Sequence, residues 1–175
     1  VINGLHNRPA LGNDPSISPN ENLLILIGPQ GIGKTRWMRK LMPEGWHQLM
    51  AEKLSFNFDD KDDKLLSCEK AIICMDEMAP VLNRKATNEQ LKGFLSQRTF
   101  NIRVAYGRYN TVFHKIASFI GTSNENELIT DPTGSRRFWP IDIMGADYNH
   151  SIDMGQLWAQ CYNLWNEKER HWLST

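Results

Sequence analysis

Cysteine is scarce in this chain: Cys68, Cys74 and Cys161 are the only three, widely separated, with neither a CxxC pair nor a paired-histidine pattern. That argues against a disulfide framework or a zinc site and for a reducing compartment. Long hydrophobic runs are missing as well. No stretch approaches the roughly 20 apolar residues of a membrane span, and no basic-then-apolar leader is present. The expectation is a cytoplasmic protein without membrane contact. Net charge is absent, with 20 Lys and Arg against 20 Asp and Glu, so any surface for a polyanion must be local. His6, His47, His114, His150 and His171 keep no ligand spacing. The acidic run Asp59-Asp60-Lys61-Asp62-Asp63 lacks the Gly and the distal Glu of an EF-hand loop, and reads as a solvated loop or a helix start. There is no internal repeat and no low-complexity tract.

What is present suffices for one domain: 175 residues, 41% of them hydrophobic. Residues 1–20, with Pro9, Pro15 and Pro19, read as a loop or the remnant of a preceding region, leaving 21–175 as the folded domain. Leu23-Leu24-Ile25-Leu26-Ile27 is a wholly apolar run of the kind that forms a strand buried on both faces. Ala71 to Met75 is a second such strand, Ile116 to Thr122 a third, and Phe138 to Ile143 a fourth, placed at a sheet edge by Pro140. Between them the spacing predicts a helix from Lys34 to Met42, stopped by Pro43, and another started by a capping box at Thr87-Asn88-Glu89-Gln90, with Leu91, Phe94 and Leu95 on one face. A last helix follows an Asp153 cap and carries Met154, Leu157, Trp158, Cys161, Leu164 and Trp165. The six tryptophans, Trp37, Trp46 and Trp139 among them, read as packing residues. Alternating strands and helices predict a three-layer α/β domain with a mostly parallel central sheet, whose ligands sit beyond the carboxyl ends of the strands.

The segment after the first strand, Gly28-Pro29-Gln30-Gly31-Ile32-Gly33-Lys34-Thr35, fits G-x-x-x-x-G-K-[ST] in a strand-loop-helix context, with Arg36 next in line. Glycines let successive amides curl around a phosphate, and the following helix turns its positive dipole end toward the same charge. Lys34 is expected to hold the β- and γ-phosphates of ATP, and Thr35 to ligate Mg²⁺. The second strand runs into Asp76-Glu77, the form of a Walker B element: Asp76 for the metal, Glu77 as general base toward water. A base for water favours hydrolysis over transfer to an acceptor. Asn124, just past the third strand, is either an ordinary turn residue or an amide that aligns the attacking water.

Two further features stay open on residue patterns alone. Arg136-Arg137, before the last strand, suit contact with a γ-phosphate, supplied by a neighbouring subunit, but spacing alone favours a surface pair with salt-bridge partners. From Gln90 through Asn124 there is no acidic residue, whereas Lys92, Arg98, Arg103, Arg108 and Lys115 fall within it. The stretch from Phe100 to His114 alternates and turns near Tyr106-Gly107-Arg108 as a hairpin does. With Tyr106 and Tyr109 it offers phosphate contacts beside stacking rings, or else is a solvated edge that blocks aggregation.

Taken in order, GPQGIGKT, MDEM, LKGFLSQR, AYGR, FIGTSNE, DPTGSRRFWPI and QLWAQ resemble the virulence-associated protein E family, P-loop ATPases of phages and mobile genetic elements related to superfamily 3 helicases and the AAA+ class. The resemblance runs from Leu23 to the C-terminus and is poorest over the first twenty residues and the acidic loop. It implies that Lys34 and Thr35 are the Walker A pair, Asp76 and Glu77 the Walker B pair, Asn124 the sensor, and Arg136 or Arg137 the arginine finger. It also implies that Arg103, Arg108 and Lys115 contact DNA, single-stranded in the first instance, from the hairpin before the sensor strand. The function so implied is a Mg-ATP-hydrolysing ring motor, a hexameric helicase acting in replication of a mobile element beside a primase or another replication protein. No primase domain is recognisable in this chain. A second reading is an ATP-dependent oligomeric assembly switch that recruits replication or packaging partners without unwinding. A small-molecule kinase fits the P-loop but leaves Asp76-Glu77, the sensor and the arginines without work.

Overall fold

The computed structural model describes residues 20–103, 108–124 and 135–169. In chain order the elements are β1 (Leu23–Ile27), α1 (Lys34–Arg39), β2 (Met50–Lys53), α2 (Lys61–Glu69), β3 (Ile72–Met75), α3 (Ala79–Leu82), α4 (Lys85–Ser96), β4 (Thr99–Ile102), β5 (Thr111–His114), β6 (Ser118–Ser123), β7 (Phe138–Asp142) and α5 (Met154–Asn166). The segment through residue 19, the Tyr106-Gly107 turn and Gly134 lie outside the described residues, as do His6 and His171.

Five strands form one parallel sheet in the order β2-β3-β6-β1-β7. Successive side chains of a strand point to opposite faces, so wholly apolar strands serve two cores at once. Leu23, Ile25 and Ile27 join Ile73, Met75 and Phe119 on one face, while Leu26 joins Ile72, Cys74 and Ile120 on the other. The first face is covered by Leu91, Phe94 and Leu95 of α4 and by Phe100 and Ile102 of β4. Phe94 centres an aromatic cluster there, its ring centroid 5.2 Å from Phe56, 5.5 Å from Phe100 and 5.6 Å from Phe119. The second face is covered by Met38 of α1, Met42 and, from α5, Trp158. Helices on both sides of a parallel sheet give the expected three layers.

β4 and β5 pair antiparallel, Thr99 opposite His114 and Ile102 opposite Thr111, so the acid-free stretch does form a hairpin. β7 is at the sheet edge, where Pro140 needs no partner for its missing N–H. Asp153 caps α5 by accepting from the Gln156 amide at 3.0 Å.

Two local expectations are corrected. The helix after the phosphate loop stops at Arg39, and the chain turns through Lys40 and Leu41 before Pro43. The capping box does not form: α4 begins at Lys85, because only Asn83 and Arg84 separate it from α3, and Thr87 is already inside it. Asn88 instead donates from Nδ2 to the Leu82 carbonyl at 3.0 Å, and Glu89 pairs with Lys92 at 2.8 Å. Of the two readings of the acidic run, a solvated loop or a helix start, the structure has the helix start. Asp60 caps α2 through the amides of Asp62 and Asp63, and Asp63 is buried, paired with Lys53 at 2.7 Å.

Candidate nucleotide site

Parallel pairing brings the ends of β1, β3 and β6 together. Ile27 is level with Ser123, and Met75 with Gly121, so the residues that follow these strands meet beyond their carboxyl ends. There the structure joins residues of the Gly28–Thr35 loop, Asp76, Glu77 and Asn124 through hydrogen bonds. Lys34 is buried, and its ammonium donates to the carbonyls of Gly28 at 2.6 Å and Pro29 at 2.8 Å and to Asn124 Oδ1 at 2.8 Å. Asn124 in turn donates from Nδ2 to Glu77 Oε2 at 2.8 Å. Burial lowers the Lys34 pKa from its ordinary value, an effect opposed by the nearby Glu77 and Asp76 carboxylates.

The Thr35 hydroxyl lies 3.1 Å from Asp76 Oδ1 and 3.3 Å from Oδ2. Among the described residues no group of three or more His, Cys, Asp and Glu side chains converges as a metal cage. Two protein oxygens suit Mg²⁺, which keeps several waters and takes substrate phosphate oxygens instead of a full protein shell. The donor set therefore fits a metal that arrives with a nucleotide.

The loop also fits a phosphate. Gly31 and Gly33 have φ of 84° and 95°, in the left-handed region, and the outer side of Gly31 has no neighbour within 4 Å. A Cβ at Gly28 would fall 2.3 Å from the Ile143 carbonyl oxygen, so that position accepts only glycine. Gln30 and Pro29 are exposed, Ile32 is half-buried, and Arg36 is exposed on the first turn of α1.

Sequence reasoning passed over Thr122. Its hydroxyl donates to Asp76 Oδ1 and accepts the Glu77 amide at 3.2 Å, while its carbonyl accepts the Met78 amide at 2.7 Å. Glu77 is held at φ 54°, a left-handed conformation that is rare and costly for a residue with a side chain. These contacts hold the turn that directs the Glu77 carboxylate to Asn124. The penultimate residue of an apolar strand carries no such signal until β3 and β6 are known to be neighbours. Tyr148 was passed over too; its ring lies against Gly33 and its hydroxyl accepts from Arg36 Nη1 at 3.2 Å.

The arginine pair is elsewhere. β7 runs parallel to β1 with Phe138 level with Leu23, so Arg136 and Arg137 stand at the opposite end of β1 from the phosphate loop. Five strand residues of about 3.3 Å each separate them, about 16 Å in all, farther than an arginine side chain reaches. Arg137 is half-buried and donates from Nε to Ser96 Oγ at 2.8 Å, whereas Arg136 is exposed. Neither is brought to the site of its own chain.

The basic stretch divides in two. Arg98, Arg103 and Arg108 are exposed on or beside the hairpin. Lys115 is corrected from a nucleic-acid contact to a buried structural residue: it is 1% exposed and its ammonium donates to the Phe94 and Leu95 carbonyls at the end of α4. A cation there meets the negative end of the helix and satisfies carbonyls that lack intrahelical partners. Lys92 is buried as well.

A model of the virulence-associated protein E-like domain matches residues 16–175. The chain belongs to the virulence-associated protein E-like family. No curated protein matches its sequence. Solved structures that share the fold of this virulence-associated protein E-like chain include the A form apo structure of the NrS-1 C-terminal region, at 20% identity, TM-score 0.50, over 99% of this chain and 34% of that one. A second A form apo structure of the same region aligns at 17% identity, TM-score 0.53, over 82% and 35%. An apo structure of the region aligns at 18% identity, TM-score 0.51, over 93% and 38%. The chain thus spans little more than a third of the solved chains it matches, and at these identities the likeness is one of fold. No helix among the described residues is long and apolar enough to cross a membrane.

Proposed function

We propose that this chain binds ATP with Mg²⁺ at the phosphate loop and hydrolyses it, and that an oligomer uses the reaction to move along single-stranded nucleic acid in DNA replication. The observation that carries the reading is the chain of contacts from Lys34 through Asn124 to Glu77, beside the Thr35–Asp76 pair. Lys34 and the loop amides receive the phosphates, Thr35 and Asp76 hold the metal, and Glu77, aligned by Asn124, takes a proton from the attacking water. Bound Mg²⁺ supplies charge neutralisation on the phosphates. Arg136 or Arg137 serves the ATP of the next subunit, because neither can reach its own. The exposed Arg98, Arg103 and Arg108 give the hairpin a phosphate-binding face. The family, together with the fold shared with the NrS-1 C-terminal region, supports a place in replication of phage or mobile-element DNA, with a primase or another replication protein as a partner.

The test is ATP hydrolysis with and without a single-stranded oligonucleotide. Stimulation by the oligonucleotide, with unwinding of a tailed duplex, is the expected result. ATP-driven oligomerisation with hydrolysis indifferent to DNA would replace the motor with an assembly switch.

A further inference from the structure

One chain segment outside every nucleotide-binding motif grips the phosphate loop at several points. The Ile143 amide donates to the Ile27 carbonyl at 2.8 Å, where β1 ends and the loop begins. The Ile143 carbonyl oxygen occupies the space that a side chain at Gly28 would need, 2.3 Å from an ideal Cβ. The Ala146 amide donates to the Ile32 carbonyl at 3.0 Å. At Gly33 an ideal Cβ would lie 2.5 Å from Tyr148 Cδ1 and 3.0 Å from the Ala146 carbonyl oxygen. The tyrosine is fixed in turn, its amide donating to Ala146 O at 3.0 Å, its hydroxyl accepting from Arg36 at 3.2 Å, and the Arg36 guanidinium carbon lying 5.1 Å from its ring centroid. Farther on, Trp158 Nε1 donates to the Leu41 carbonyl at 2.7 Å, just past the end of α1.

Glycines are what allow the loop to wrap a phosphate, and they are also what make it expensive to order. A loop with two left-handed glycines and an open outer side has more freedom to lose on binding than any other stretch of the site. Order imposed beforehand by packing lowers that cost and improves affinity without adding a contact to the ligand. Gly33 is the last residue before Lys34, so the Tyr148 ring bears on the junction that sets where the lysine and the first helical amides point.

We propose that Ile143–Tyr148 is a brace that holds the phosphate loop in its nucleotide-accepting shape, with Tyr148 as the positioning residue. The proposal rests on reading the loop as a nucleotide site. It assigns Tyr148 an effect on affinity and not on the proton transfer, because Glu77 and Asn124 follow β3 and β6 whereas Tyr148 follows β7.

The test is amide hydrogen exchange of nucleotide-free protein, followed by ADP binding and steady-state hydrolysis, in Tyr148→Ala, Tyr148→Phe and Arg36→Gln. In Tyr148→Ala, exchange should quicken in the peptide covering Gly28–Arg36 while peptides from β3 and β6 keep wild-type rates. ADP should bind about tenfold more weakly, and KM for ATP should rise by a similar factor with kcat changed less than about threefold. Tyr148→Phe keeps the ring and should restore most of the wild-type behaviour. Arg36→Gln, an exposed position, should give a smaller shift in the same direction, which keeps the brace testable if Tyr148→Ala does not fold. Wild-type exchange over Gly28–Arg36 in the folded Tyr148 and Arg36 variants would overturn the brace. Absence of ADP and ATP binding by the wild-type protein would instead remove the nucleotide reading, with the exchange comparison still deciding whether Tyr148 orders the loop.

Discussion

Asn124 donates to Glu77 Oε2 at 2.8 Å while its own Oδ1 accepts from Lys34 at 2.8 Å, so a single amide links the residue expected to hold phosphate to the residue expected to activate water. Replacing Asn124 with Ala removes both bonds without touching Thr35 or Asp76. ATP affinity should stay within about threefold and kcat should fall by about 10- to 100-fold, the range of a lost aligning group. Phosphate-release kinetics and nucleotide titration decide it; an unaltered kcat would return Asn124 to the status of a turn residue.

Lys115 predicts a pH dependence of stability. Burial pushes its pKa down from 10.5 to about 8 in the folded protein. Between those values the unfolded chain binds more protons than the native one, so the stability of the fold should rise with pH across that window. The cost of burying the charge is present below about pH 8 and relieved as pH approaches 10.5, at most about 3 kcal/mol. Cys68 and Cys74, pushed up by burial to about 11 and about 12, act in the opposite sense. The comparison must therefore be with Lys115→Met, which keeps them. Urea unfolding at several pH values should show the wild-type protein gaining on the variant as pH rises; parallel curves would contradict the burial of a titrating amine.

The sheet, its layers and the glycine-rich loop between β1 and α1 were legible because each rests on local pattern: five apolar residues in a row, a glycine-rich turn, two acids at a strand end. Residues whose role depends on which strands lie side by side were not. Thr122 matters only because β6 enters the sheet between β1 and β3, and Tyr148 only because β7 pairs with β1 and returns the chain to Gly33. Lys115 was misplaced for a related reason. A lysine in an acid-free stretch looks like part of a basic surface, and only the three-dimensional fold brings it to the end of α4. β2, the four residues Met-Ala-Glu-Lys, lacks an apolar run because it lies at the sheet edge.

The place of the arginine pair predicts shared sites. Replacing whichever of Arg136 and Arg137 is the finger with Ala should keep ATP binding and lose hydrolysis by about 10³-fold or more. Arg137→Ala should, finger or not, lose the Ser96 contact and some stability, about 1 kcal/mol. Mixing the finger variant with excess Lys34→Ala subunits should recover activity, since each supplies what its neighbour lacks. Activity no greater than the sum of the separate mutants, in mixtures shown by sizing to co-assemble, would exclude a role across subunits.

The hairpin should govern affinity for nucleic acid and not basal hydrolysis. Arg103→Ala with Arg108→Ala should weaken binding of a single-stranded oligonucleotide and reduce the slope of log affinity against log salt by about 1 to 2. Lys115→Met, with its amine already buried, should leave that slope as it is. Filter binding across a salt series checks both, and an equal slope in wild type and the arginine double variant would leave the hairpin as a plain sheet edge.

Hydrolysis of ATP by Glu77 is tested most directly by measuring ATP binding and phosphate release side by side for wild type and Glu77→Gln. The glutamine keeps the size of the side chain and a hydrogen-bonding oxygen for Asn124, but it cannot take a proton from water. ATP should bind to both proteins with similar affinity in the presence of Mg²⁺, and phosphate release should be slower in the variant by about 10²-fold or more. Release at the wild-type rate from Glu77→Gln would contradict the assignment of the base, and with it the proposed chemistry of the site.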